Sequence, residues 1–102
     1  MIHVVATITA KPGMRAQILE AFRANMPAVH AEPGCIEYGP AIDAEGAGGI
    51  QTKLGADAFV VIEKWESLEA LRAHAASPHM ASYTAKTRDI VASRVIHVLQ
   101  PG

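Results

Sequence analysis

Residues 59–80 read FVVIEKWESLEALRAHAASPHM, from Phe59 to Met80, and the way this stretch divides decides the fold. Phe59, Val60, Val61 and Ile62 form an unbroken apolar run of β-formers, too short for a helix. Charge enters at Glu63 and Lys64, and Trp65 follows. Residues two apart on a strand share a face, so Phe59, Val61, Glu63 and Trp65 project together. Ser67 is a natural N-cap, and Glu66 and Glu69 place negative charge where the helix dipole favours it. The spacing predicts a short helix over residues 68–77, with Leu68, Leu71 and Ala75 as its apolar stripe. His74, three residues after Leu71, lies beside that stripe and need not face solvent. Pro78 closes the helix by pushing Ser77 out of helical geometry. A strand ending in Trp thus feeds a helix that carries a His on its buried shoulder.

Working outward, residues 2–9 alternate, with Ile2, Val4, Ala6 and Ile8 on a core face and His3, Val5, Thr7 and Thr9 opposite. Lys11-Pro12-Gly13 is a turn. Over residues 14–31, Ile18, Phe22, Met26 and Val29 recur at helical spacing, and Pro27 predicts a kink or an early end. Glu32-Pro33-Gly34 breaks the chain. Residues 35–43 read as a second strand in which Pro40 argues for a strand end or an edge. Residues 43–57 are a glycine-rich loop in which 50–54 could make a short extra strand. After the central strand and helix, Met80, Tyr83, Thr87 and Ile90 predict another helix, running to about residue 92. Residues 94–99 close the chain as a last strand. The order β-α-β-β-α-β is the ferredoxin-like α+β arrangement, an antiparallel sheet with helices on one face. The bare face would carry Val5, Val95 and Leu99, which is apolar enough to favour a homodimer packed sheet against sheet.

Composition narrows the function classes. At 102 residues, 50% of them hydrophobic and 19% charged, the chain reads as one domain over 1–102 that needs no metal or disulfide staple. A net charge of -1 argues against nucleic acid and against an anionic membrane as partner. Cys35 stands alone, so no intrachain disulfide can form. With no signal segment or membrane span to read, the expected location is cytoplasmic.

These residues carry a family resemblance. The Lys11-Pro12-Gly13 turn, the Glu32-Pro33-Gly34-Cys35 break, Tyr38 with Pro40, and the block Ile62-Glu63-Lys64-Trp65-Glu66-Ser67 belong to it. So do Ala73-His74, Ser77-Pro78-His79-Met80 and the end, Leu99-Gln100-Pro101-Gly102. The chain resembles the antibiotic-biosynthesis monooxygenase (ABM) superfamily, most of all its small bacterial quinol monooxygenases. The resemblance implies a dimeric α/β barrel that oxygenates a hydroquinone or polyphenol, a small aromatic substrate, with no metal, flavin or haem. Haem-degrading members share the fold, but a Trp stands in them where this chain has His74, and an Asn near Ala6. Both departures count against haem degradation.

Each candidate residue has a functional and a plain reading. His74 is the candidate catalytic base for a phenolic proton; otherwise it is a half-buried helix His bonded to a neighbour. Taking a proton from a phenol of pKa about 10 with a His of about 6.5 is uphill by roughly 5 kcal/mol, so the pocket must also stabilise the phenolate. Trp65 could floor a pocket under an aromatic ring, or be core. Glu63, on the same face, could bond a substrate hydroxyl or orient His74, or form a salt bridge at the strand end. Tyr83 follows His79 by one helical turn and could donate to a substrate oxygen, or fill the last helix. Tyr38 has the same two readings. His79 fits a capping or packing role. His74 and His79 are five apart, wrong for two ligands on one helical face, so no metal site is expected. Gly46 to Gly49 lacks the residues of a phosphate loop. His3, His30 and His97 read as surface or interface residues. The main alternative to an enzyme is a non-catalytic dimer that binds or senses a small aromatic or hydrophobic ligand.

Overall fold

The computed structural model describes residues 1–102. Strand β1 spans Ile2–Ala10, helix α1 Arg15–His30, β2 Cys35–Ala41, β3 Ala58–Trp65, α2 Leu68–Ala75, α3 Pro78–Thr87 and β4 Val91–Leu99. The four strands form one antiparallel sheet in the order β2-β3-β1-β4, which is the ferredoxin-like α+β arrangement. No helix is long and apolar enough to cross a membrane.

The alternation of β1 decides where the core sits. Ile2, Val4, Ala6, Ile8 and Ala10 are buried and their neighbours only partly so. In β3, Phe59, Val61, Glu63 and Trp65 are all buried, as the period of two requires. Helix α1 packs Ile18, Leu19, Phe22 and Val29 onto that face. Pro40 lies in the edge strand β2.

Four local expectations differ. Helix α1 continues through Pro27 to His30, and the amide of Ala31 still reaches the Pro27 carbonyl at 3.2 Å. Pro27 and Arg23 both lie on the exposed side, where water can take the carbonyl left without a donor. No extra strand forms at residues 50–54. One 3₁₀ turn, Gly48–Ile50, is followed by a segment that Asp43 holds, its two carboxylate oxygens accepting from the amides of Leu54 and Gly55 at 2.9 and 3.0 Å.

The last helix stops at Thr87, short of residue 92, because Val91 is drawn into register beside Ala10 and β4 starts there. In α2 the inward residues are Ala70, Leu71 and His74, and Ala75 joins Leu71 in the cavity wall as the expected stripe has it, while Leu68 is 42% exposed. The helix is only eight residues long, so its contact is a narrow stripe rather than a full apolar face. It ends at Ala75, and Ser77 then caps α3, its hydroxyl accepting from the Met80 amide and donating to the His74 carbonyl.

Candidate active site

A cavity of about 370 Å³ lies between the sheet and helices α2 and α3. Its walls are mostly apolar, with Ala6 and Ile8 from β1, Phe22 from α1, Leu71 from α2, and Ile96 and Val98 from β4. Glu63, His74, Tyr38 and Tyr83 all contribute to the lining. Arg94 lines it too, brought to this face by its register opposite Ile8.

His74 is only 5% exposed, and Trp65 and Tyr38 border its ring at centroid distances of 4.7 and 5.3 Å. Its Nδ1 lies 2.8 Å from Oε2 of Glu32. The carboxylate only accepts, so Nδ1–H donates and the lone pair of the neutral ring sits on Nε2. No buried side-chain nitrogen or oxygen lacks a partner, and Nε2 has none within the protein. Nε2 therefore reaches accessible space, and His74 lines the cavity. Glu32, not Glu63, is the acid hydrogen-bonded to His74.

Of its two readings, Trp65 takes the core one. It is fully buried and contributes nothing to the cavity wall, so it does not floor the pocket. It backs the His74 ring and donates from Nε1 to Oε1 of Glu63 at 2.8 Å, a link that the shared strand face makes available. Burial raises the Glu63 pKa, while the Trp65 hydrogen bond and then the charge of His74 act against that rise. The second carboxyl oxygen of Glu63 has no protein partner.

Tyr38 stacks on Phe22 at 5.0 Å, and Tyr83 meets Phe22 edge-on at 5.9 Å. Burial first, and the charge of Glu63 second, push the Tyr38 phenol far above its usual range. Burial also raises Tyr83, and the nearby Arg94 guanidinium opposes it. Both phenols therefore stay protonated as donors, and neither hydroxyl is engaged within the protein. Tyr38 faces inward because β2 shifts register between Cys35 and Glu37. Strict alternation from Cys35 would have turned Glu37 and Gly39 to this side, but the irregularity sets Tyr38 opposite Glu63.

His79 takes its polar partners from Glu32 and Ser77 rather than from Tyr83. Its Nε2 lies 3.2 Å from Oε2 of Glu32 and 3.2 Å from the Ser77 hydroxyl. Glu32, His74 and His79 thus form a compact group, their ligand-type atoms all within 4.8 Å of one another. The spacing argument against shared ligation fails because His74 and His79 sit on different helices. His30 is also more than a surface residue, since its Nε2 donates to the Tyr38 carbonyl at 2.8 Å and ties the end of α1 to β2. Sequence reasoning missed Glu32 and Arg94. Glu32 stands in a chain break, 42 positions from His74, with no local signal; the core face of β1, extended across the sheet, could have found Arg94.

Comparison with known proteins agrees with this architecture. Residues 1–86 match the family described as antibiotic biosynthesis monooxygenase. A protein of Escherichia coli (strain K12) called "Probable quinol monooxygenase YgiN" is 36% identical over 104 residues, covering 100% of this chain and 99% of its own. A Pseudomonas aeruginosa crystal structure superposes with a TM-score of 0.81 at 25% identity, over 98% of this chain and 92% of the other. One from Mycobacterium tuberculosis gives 0.79 at 26%, over 98% and 93%. A Nitrosomonas europaea structure shares the fold at a TM-score of 0.84 and 19% identity, over 99% and 98%. With the family matched over most of its length and a full-length relative at this identity, the chain belongs to the antibiotic biosynthesis monooxygenase family.

Proposed function

We propose that this protein is a quinol monooxygenase that oxidises a hydroquinone or polyphenol with dioxygen and uses no metal, flavin or haem. The observation that carries the reading is His74, with Nδ1 held by Glu32 and Nε2 open to an apolar cavity. That is the arrangement of a general base whose tautomer is set from behind. The name of the Escherichia coli relative supports the substrate class.

The residues divide the work. Nε2 of His74 takes a hydroxyl proton as the substrate ring lies along Ile96, Val98 and Phe22. Tyr38 and Tyr83 donate to the oxygen that becomes phenolate, and this offsets part of the roughly 5 kcal/mol by which the transfer is uphill in water. Glu63 accepts from a second hydroxyl, held in place by Trp65. The electron-rich anion passes an electron to dioxygen, and the radical pair recombines with a new ring C–O bond. Loss of water then leaves one oxygen atom on the ring. Hydroquinone plus dioxygen gives hydroxyquinone plus water, and the substrate supplies all four electrons. The enzyme acts as a cytoplasmic homodimer in this reading, the apolar sheet face forming the interface.

The test is kcat and KM for wild type and His74→Ala from pH 6 to 10, with oxygen uptake followed and thermal melts alongside. His74→Ala should lower kcat by about 10²- to 10⁴-fold with little change in KM. It should recover partly as the pH nears the substrate pKa. Equal kcat with only a lower melting temperature would return His74 to a packing role. Hydroquinone that binds anaerobically but is not consumed when oxygen enters would favour the non-catalytic binder.

A further inference from the structure

We propose that Glu32, His74 and His79 form a site for a divalent transition-metal ion, zinc class, that switches the His74 base off when filled. Three separate elements supply the ligands: Glu32 from the break after α1, His74 from the end of α2, and His79 from the first turn of α3. Two imidazoles and one carboxylate are donors that suit zinc, copper, nickel or iron, and not calcium or magnesium.

The spacing fits. Ligands about 2.0–2.1 Å from one ion lie roughly 3 Å apart when they occupy neighbouring coordination positions. Glu32 Oε2 is 2.8 Å from His74 Nδ1 and 3.2 Å from His79 Nε2, and the third edge is within 4.8 Å. Closing that edge asks only for a small turn of His79, whose side chain is 29% exposed and gives the ion its way in.

The consequence follows from imidazole tautomers. With a metal on Nδ1, a neutral His74 ring carries its proton on Nε2. The nitrogen that faces the cavity becomes a donor and can no longer accept a substrate proton. No net proton is lost from the ring; it moves from Nδ1 to Nε2. The ion sits behind the ring and does not touch the substrate. This inhibitory half rests on the proposed reaction, whereas metal binding itself does not.

Chelator-treated protein should be titrated with cobalt(II), followed by the visible bands of imidazole-bound cobalt, and then with zinc by calorimetry. One ion per chain is expected, and His79→Ala or His79→Gln should weaken binding at least about tenfold, as should Glu32→Gln. His3 and His97 remain in every variant, so an adventitious surface site would survive these changes. Zinc should lower wild-type kcat for a hydroquinone while leaving KM unchanged, and His79→Ala should need at least tenfold more zinc for the same inhibition. Equal binding by wild type and both folded His79 variants would overturn the site. Metal bound at this site without loss of turnover would overturn the switch. A protein with no turnover at all would be judged on the cobalt titration, where wild-type affinity no better than the variants' overturns the proposal.

Discussion

Replacing Gly34 by Ala tests how closely the break after α1 is fitted to the helix that carries His74. Gly34 has φ +84°, and its carbonyl accepts from the Glu66 amide at 2.9 Å, which ties the break to the start of α2. A Cβ at this position would lie 2.6 Å from Cβ of Ala70, on the inward face of α2 one turn before His74. Left-handed backbone costs a non-glycine residue about 1–2 kcal/mol. The overlap adds about 1–3 kcal/mol, because the struck atom belongs to a helix rather than to a flexible side chain. The stiffer unfolded chain returns about 0.4–1 kcal/mol. The net loss is about 3 kcal/mol, or a melting temperature lower by about 10–20 °C. Ala70→Gly removes the overlap at a helix-propensity cost of about 1 kcal/mol. The double variant should therefore be less damaged than the sum of the singles by about 1–3 kcal/mol. Urea denaturation of the four proteins measures this coupling. Strictly additive losses would refute the close approach of Gly34 to α2.

Three further outcomes follow from the same structure. Burial raises the pKa of Glu63 above the usual 4.5, so the native state binds more protons than the unfolded chain in that window and loses stability as pH rises through it. Glu63→Gln, which keeps an acceptor for Trp65, should gain stability relative to wild type from about pH 4.5 upward; parallel pH profiles of unfolding would contradict this. Amide bonds from Leu54 and Gly55 lower the Asp43 pKa below 3.8, so its hold on the loop is present above that value and released as pH falls through the folded one. Asp43→Ala should speed hydrogen exchange at both amides at neutral pH, and unchanged protection would show that the loop is held elsewhere. On the sheet face away from the helices, Val95 is 52% and Leu99 46% exposed. Sedimentation should find a dimer at micromolar concentration that Leu99→Lys shifts toward monomer, whereas a wild-type monomer would remove the interface.

Much of the fold was legible because its signals are local. The alternation of Ile2, Val4, Ala6 and Ile8 and the run from Phe59 to Trp65 state their own period, and both strands lie as read. Pro40 marked an edge because a central strand cannot spare the donor. Ser67 marked a helix start because capping depends on neighbours in sequence, whereas Ser77 and Pro78, read as the close of one helix, also open the next. Pro27 misled because its cost depends on what surrounds the helix, and on an exposed face water lowers that cost.

The chain's own pattern determined the element order, the core face of the sheet and the shared face of Glu63 and Trp65, since each needs only spacing along one strand or helix. Tertiary structure alone decided the rest of the site. Tyr38 reaches the cavity through a register shift that depends on β3 as partner. Trp65 passes behind His74 rather than under a substrate because α2 crosses above it. Glu32 meets His74 across 42 positions, and His79 joins them from another helix. No period along the chain records such a meeting, because it is set by how helices pack on a sheet, and packing is a property of surfaces brought together only after the elements have formed.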